Sequence, residues 1–157
     1  MRIVSWNCRG FGNLRTVREL CRLVKEKKPN IVFLMETKLR SNKMERVRVQ
    51  LGFEYMFVVD SIGKSGGLAL FWTEDAEVEI QNYSHRHINA KVCSSPDKSQ
   101  WKLTGFYGHP DPSKRMEAWN LLRHIARIEP MPWVCFGDFN EILSADEKYG
   151  GVSIKGV

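Results

Sequence analysis

Two short runs without a single polar residue limit the choice of fold more than anything else in the chain. The first is Ile31-Val32-Phe33-Leu34-Met35, which stops at Glu36; the second is Trp133-Val134-Cys135-Phe136, which stops at Gly137-Asp138-Phe139-Asn140. Unbroken apolar runs of this length are the pattern of strands covered on both faces. Such strands belong to layered α/β domains, in which ligands collect where strands deliver polar residues at their carboxyl ends. A carboxylate with an amide two residues further on suits proton abstraction from a nucleophile, or retention of a hydrated cation, beside a neutral donor for an oxyanion. The competing reading of Asp138 and Asn140 is a turn whose side chains cap the following segment.

Ahead of these runs, Arg2 to Trp6 has strand composition and ends at Asn7, before a loop marked by Gly10 and Gly12. Val17, Leu20, Cys21 and Val24 recur at helical spacing, with Thr16 and Glu19 placed for a capping box and Asn13 as a rival cap. Ser41 to Leu51 predicts a second helix with Met44, Val47 and Leu51 inward, stopped by Gly52. Strand-like segments follow at Phe53–Val59, Leu68–Trp72, Val78–Tyr83, His87–Cys93 and Gln100–Tyr107. Ile88, Ala90 and Val92 alternate with Asn89 and Lys91, and Trp101 and Leu103 with Lys102 and Thr104, so these strands are expected to keep one wet face. Ser113 to Ile128 predicts a third helix burying Trp119, Leu122, Ile125 and Ala126; Glu141 to Lys148 is ambiguous. Gly63-Lys64-Ser65 lacks the earlier glycine of a P-loop, since Val58 stands there, and reads as a hairpin turn with phosphate contact as the alternative. His85 and His87 lie two apart on a strand, with no third metal ligand nearby in sequence.

Composition sets the class. With 157 residues, 43% hydrophobic and 27% charged, the chain fits one globular domain over residues 1–157, without a repeat, linker or low-complexity tract. No apolar run approaches the roughly 20 residues of a membrane span, and Arg2 is followed by strand-like residues rather than a secretory segment, which points to an intracellular protein without a membrane partner. Cys8, Cys21, Cys93 and Cys135 have no paired spacing for zinc or a disulfide framework. Residues 1–50 hold 13 Lys/Arg against 4 Asp/Glu, net +9, whereas residues 51–157 are net −3 with 11 against 14. The basic first third, with Arg15, Arg18, Arg22, Lys43 and Arg46 on helix faces, suits a polyanion such as nucleic acid, or is a pair of solvated basic helices.

Ser5-Trp6-Asn7, Met35-Glu36-Thr37-Lys38, Gly66-Gly67-Leu68-Ala69, Phe106-Tyr107-Gly108 and Gly137-Asp138-Phe139-Asn140 stand in the order found in the endonuclease/exonuclease/phosphatase superfamily. The set resembles the apurinic-endonuclease-like domain of plant non-LTR (LINE-type) retrotransposons. That resemblance implies an α/β fold, a four-layer sandwich of two mixed, largely antiparallel sheets flanked by helices. It also implies a Mg²⁺-dependent endonuclease, with Mn²⁺ as a substitute ion, that hydrolyses phosphodiesters in DNA and works in the nucleus. Matched motif by motif, Glu36 resembles the metal-binding carboxylate and Asn7 a companion at the metal and phosphate site. Asp138 resembles the residue that orients or deprotonates water, Asn140 the amide that holds it, and Tyr107 the phenol that contacts the scissile phosphate.

The family pattern continues to a late Asp and a Ser-Asp-His motif that this sequence lacks. Sequence alone therefore predicts a domain incomplete at its C-terminus, inactive or strongly impaired, and a monomer whose uncovered sheet edges favour self-association. A non-catalytic nucleic-acid-binding module and, less favoured, a phosphatase of the same superfamily are the alternatives.

Overall fold

The computed structural model describes residues 1–140; the segment Glu141 to Lys148 lies outside them. In chain order the elements are β1 (Ile3–Asn7), α1 (Leu14–Lys27), β2 (Ile31–Met35), α2 (Ser41–Leu51), β3 (Tyr55–Val59), β4 (Leu68–Trp72), β5 (Ala76–Ser84), β6 (His87–Ser94) and β7 (Gln100–Tyr107). A single 3₁₀ turn at Pro112–Lys114 then leads into α3 (Arg115–Arg127), and β8 (Trp133–Asp138) follows. The strands form two four-stranded sheets, ordered β1-β2-β4-β3 and β5-β6-β7-β8. Within them β1 pairs with β2, and β7 with β8, in parallel; every other pairing is antiparallel.

Strand β2 shows why an unbroken apolar run was needed. Successive strand side chains point to opposite faces. Ile31, Phe33 and Met35 accordingly join Leu68, Leu70, Ile88, Ala90, Val92 and Leu103 in the core between the sheets. Val32 and Leu34 face the other way, into a second core with Leu20 of α1, Met44 and Val47 of α2, and Phe71. Phe33, fully buried, meets Phe136 edge to face at 5.7 Å. Full burial of such a side chain contributes roughly 2–3 kcal/mol. Gly105 opposite Phe33 leaves room for that ring, since a Cβ there would stand 2.6 Å from it. With α3 on the far side of the second sheet, the domain is a four-layer α/β/β/α sandwich, as the sequence predicts.

Four local expectations differ from the structure. Helix α1 is capped by Asn13, whose side chain accepts from the Arg15 amide, rather than by a Thr16–Glu19 box; both of those residues lie inside the helix. The polar faces of β6 and β7 are wet only at Lys91, which is half-buried and pairs with Glu129 at 2.8 Å, whereas Asn89, Lys102 and Thr104 are buried beneath α3. Their polar atoms are satisfied internally, because Trp133 Nε1 donates to Thr104 Oγ1 at 2.9 Å and Thr104 Oγ1 donates to Asn89 Oδ1 at 2.8 Å. Lys102 Nζ donates to the carbonyls of Ile125 and Ile128 at the C-terminal end of α3, where a helix leaves acceptors without partners. On α3 itself only Leu122 and Ile125 are buried. Trp119 is 38% exposed and stacks on Phe139, while Ala126 faces solvent. The run Trp133–Phe136 is only partly covered: Trp133, Cys135 and Phe136 are half-buried and Val134 is 42% exposed, β8 being, among the described residues, an edge strand bonded to β7 alone.

Candidate active site

The carboxyl ends of β1, β2, β7 and β8 meet at one end of the sandwich. Parallel pairing sets Asn7 beside Met35 and Tyr107 beside Asp138, so Glu36 is the first residue past the end of β2. The two sheets are tied there directly: the Asp138 amide donates to Met35 Sδ at 3.3 Å, and the Tyr107 hydroxyl donates to Glu36 Oε1. Glu36 sits in the left-handed region at φ 51°, a conformation that non-glycine residues adopt at a cost and that clusters at functional sites.

The strain is held in place by the Gly66-Gly67 pair. Thr37 and Lys38 donate to the carbonyls of Gly67 and Gly66 at 3.2 and 2.7 Å. Gly67, at φ 94°, lies so close that a Cβ would overlap Thr37 Oγ1. Gly137 serves β8 in the same way: at φ 135° it runs against the Phe106 carbonyl, where any side chain would collide, and this brings Asp138 beside Tyr107. Asp138 and Asn140 form the turn that was the competing reading of their sequence, with Asn140 N donating to Asp138 Oδ1 at 2.9 Å. The turn also orients them. Asn140 Nδ2 donates to the Gly108 carbonyl at 2.6 Å, and the Gly108 amide donates to the Asp138 carbonyl at 2.7 Å.

Glu36 and Tyr107 share a cleft of about 400 Å³ whose lining includes Lys38, Lys64, His85 and Arg86. The Arg86 guanidinium lies 4.8 Å from the Tyr107 ring centroid. Burial, the hydrogen bond to Glu36 and that carboxylate's charge push the Tyr107 phenol up to about 12, so it keeps its proton at neutral pH. Asp60 also borders the cleft, but its Oδ1 accepts from the Ser41 amide at 2.8 Å and so caps α2.

Asn7 faces a neighbouring groove with Arg9, Asn13 and Arg15 instead, its Oδ1 accepting from the Arg9 amide at 3.0 Å. Arg15 reaches that groove although it pairs with Glu19 at 3.1 Å. Arg22 pairs with Glu26 about 10 Å further along α1, and Arg18, Lys43 and Arg46 are exposed. The structure thus puts Glu36 and Tyr107 on one cleft, sets Asp138 beside Tyr107 with Asn140 tied to Asp138 and Gly108 but neither lining that cleft, places Asn7 on the neighbouring groove, and spreads the basic residues over the helical layer. His87 does not pair with His85: it is buried, with its ring nitrogens bonded to Ser84 Oγ at 2.6 Å and Asn82 Oδ1 at 2.7 Å. The cleft residues that sequence reasoning assigned no role are Lys38 and Arg86, on a motif end and a turn, while Lys64 belongs to the turn for which phosphate contact was the alternative reading.

Among the described residues no group of three or more His, Cys, Asp and Glu comes together. One carboxylate with amide and hydroxyl neighbours fits a hard cation that keeps most of its water, and does not fit zinc. Glu36 Oε2 accepts no hydrogen bond among the described residues and is available for such an ion.

No curated protein matches the chain in sequence. Solved structures do match in fold. An AP endonuclease from Leishmania major aligns with 98% of this chain and 59% of its own at TM-score 0.72 and 15% identity. The endonuclease domain of TRAS1, a telomere-specific non-LTR retrotransposon, aligns over 90% and 61% at 0.64 and 17% identity. The human Nocturnin catalytic domain aligns over 90% and 65% at 0.64 and 15% identity. The chain therefore spans about three fifths to two thirds of the length of these relatives. The endonuclease/exonuclease/phosphatase family pattern runs through residues 4–157, and the chain belongs to that family.

Proposed function

We propose that this chain is a metal-dependent phosphodiesterase of endonuclease type, with DNA as substrate and Mg²⁺, or Mn²⁺ in its place, as the ion. The observation that carries the reading is the single carboxylate of Glu36, held in a strained backbone conformation, hydrogen-bonded by Tyr107 and open to a cleft lined by basic side chains. Solved structures of this fold include an AP endonuclease, a retrotransposon endonuclease domain and a mannosyl-6-phosphatase, so the nuclease reading over a phosphatase rests on the five motifs. The five motifs support an origin in a plant LINE-type element.

Glu36 would hold the ion, since its Oε2 accepts no hydrogen bond among the described residues, and Asn7 on the adjoining groove would be its companion toward the phosphate. When bound, the ion polarises a phosphate oxygen and offsets charge in the in-line displacement. Asp138, with Oδ1 occupied by the Asn140 amide, takes the proton of the attacking water at Oδ2. Asn140, anchored to Gly108, keeps one N–H and its carbonyl oxygen for that water or a phosphate oxygen. Tyr107, still protonated, has a single O–H, which turns from Glu36 Oε1 to the phosphate when substrate binds.

Supercoiled DNA with Mg²⁺ is the direct test. The expected result is slow nicking that stops with EDTA and falls about a hundredfold to ten-thousandfold in Asp138→Asn. Glu36→Ala is expected to lose both nicking and Mn²⁺ binding measured by electron paramagnetic resonance. Nicking that persists in EDTA, or equal Mn²⁺ binding by Glu36→Ala, overturns the proposal.

A further inference from the structure

We infer that the tip of the β5–β6 hairpin is a second phosphate subsite, where Arg86, with Lys64 of the β3–β4 loop on the same cleft, holds a polynucleotide backbone phosphate next to the one handled at Glu36. The inference rests on the reading above and extends it to how the substrate is gripped.

Arg86 is half-buried, and no carboxylate pairs with it among the described residues. Arg48, also partly covered, has such a partner in Glu45. The Arg86 guanidinium instead lies over the Tyr107 ring and interacts with its phenol oxygen, and its remaining donors border the cleft. A guanidinium fork on an aromatic face is suited to two-point binding of phosphate.

The backbone beneath it is fixed from three sides. Arg86 N donates to Ser84 Oγ at 3.1 Å, and the Tyr107 amide donates to the Arg86 carbonyl at 2.8 Å. Behind them, buried His87 bonds both Ser84 and Asn82. A buried polar network that serves only to hold an exposed tip is the arrangement expected of a pre-organised contact. Lys64 lies on a turn closed by reciprocal Ile62–Ser65 backbone bonds of 2.9 and 3.0 Å, so it too is presented from a defined loop. The cleft sets Lys38, Lys64 and Arg86 against the carboxylates of Glu36 and Asp60. A divalent cation held by Glu36 would add to that positive balance, which then exceeds the single charge of one phosphodiester, and a polynucleotide supplies a second phosphate at the adjoining linkage.

The test reads binding in EDTA, apart from any hydrolysis, using a labelled short DNA duplex and fluorescence anisotropy over a range of salt. Arg86→Ala is expected to weaken binding about tenfold and to lower the slope of log K against log salt by about one; adding Lys64→Ala is expected to lower it by about one more. Arg86→Lys is expected to keep the slope and lose part of the affinity. Duplexes carrying a single neutral methylphosphonate are expected to show one position, next to the cut, that weakens the native chain and leaves Arg86→Ala unaffected. Should Arg86→Ala fail to fold, Lys64→Ala and the methylphosphonate scan of the native chain carry the same test. An unchanged slope in both variants, or equal losses at every methylphosphonate position, overturns the subsite. Nicking that depends on Glu36 with an unchanged slope removes the subsite alone; a lowered slope without Glu36-dependent nicking removes the function and leaves the subsite.

Discussion

The two sheets solve burial differently. The first, β1-β2-β4-β3, has strands β2 and β4 fully buried and apolar on both faces, under α1 and α2 on one side and the second sheet on the other. The second, β5-β6-β7-β8, shares the inner core but buries Asn89, Thr104 and Lys102 beneath α3. The lesson is that a polar sheet face need not be a solvent face. Hydrogen bonds among Asn89, Thr104 and Trp133, and a lysine on the helix end, let one helix cover what composition alone marks as wet.

The strongest way to break the contrast is through the core both sheets share. Phe33→Ala removes a ring that touches Phe136 and faces Gly105, and is expected to cost about 3–5 kcal/mol. Urea unfolding followed by both fluorescence and circular dichroism is expected to show a single transition; two transitions would mean that the sheets unfold separately. Next in size is Lys102→Ala, which leaves two carbonyls at the end of α3 without their donor and is expected to cost about 1–3 kcal/mol. A neutral result would show that water replaces the lysine.

A reciprocal pair sharpens the comparison. Val32→Thr buries an unpartnered hydroxyl under α1 and α2, and Thr104→Val strands Asn89 and Trp133. Each is expected to cost about 1–2 kcal/mol, although the two changes are opposite in polarity. Stabilisation by Thr104→Val would mean that the polar face is tolerated rather than required.

The smallest effect at neutral pH is a pH dependence confined to the second sheet, which appears only in acid. Burial lowers the His87 value from 6.5 to about 4, so the folded chain keeps this imidazole neutral while the unfolded chain takes up a proton below 6.5. Stability is therefore expected to be unaffected by this group above 6.5 and to fall by about 3 kcal/mol as pH drops from 6.5 towards 4. His87→Gln is expected to flatten that part of the curve in thermal melts; an unchanged slope would refute the assignment.

Strand positions were legible because period-two and unbroken apolar patterns report directly on how many faces are covered, and Ile31–Met35 was read to the residue. Glu36, Asp138 and Asn140 were legible as candidates because each follows such a run. Helix Ser41–Leu51 and its inward Met44, Val47 and Leu51 were equally plain, since Gly52 stops the pattern. What periodicity does not carry is the identity of the covering layer. Asn89 and Thr104 alternate in the same way whether water or α3 lies above them, so only the tertiary structure decided that they are buried. The cleft posed the same problem: Arg86 and Lys64 sit on turns between strands, distant in sequence from Glu36, and a turn residue's partners are set by how the sheets stack. Sequence alone determined which residues end strands, because burial is written locally in the side chains; only the fold determined which of those ends face one another, because that depends on sheet order and on contacts between residues far apart in the chain.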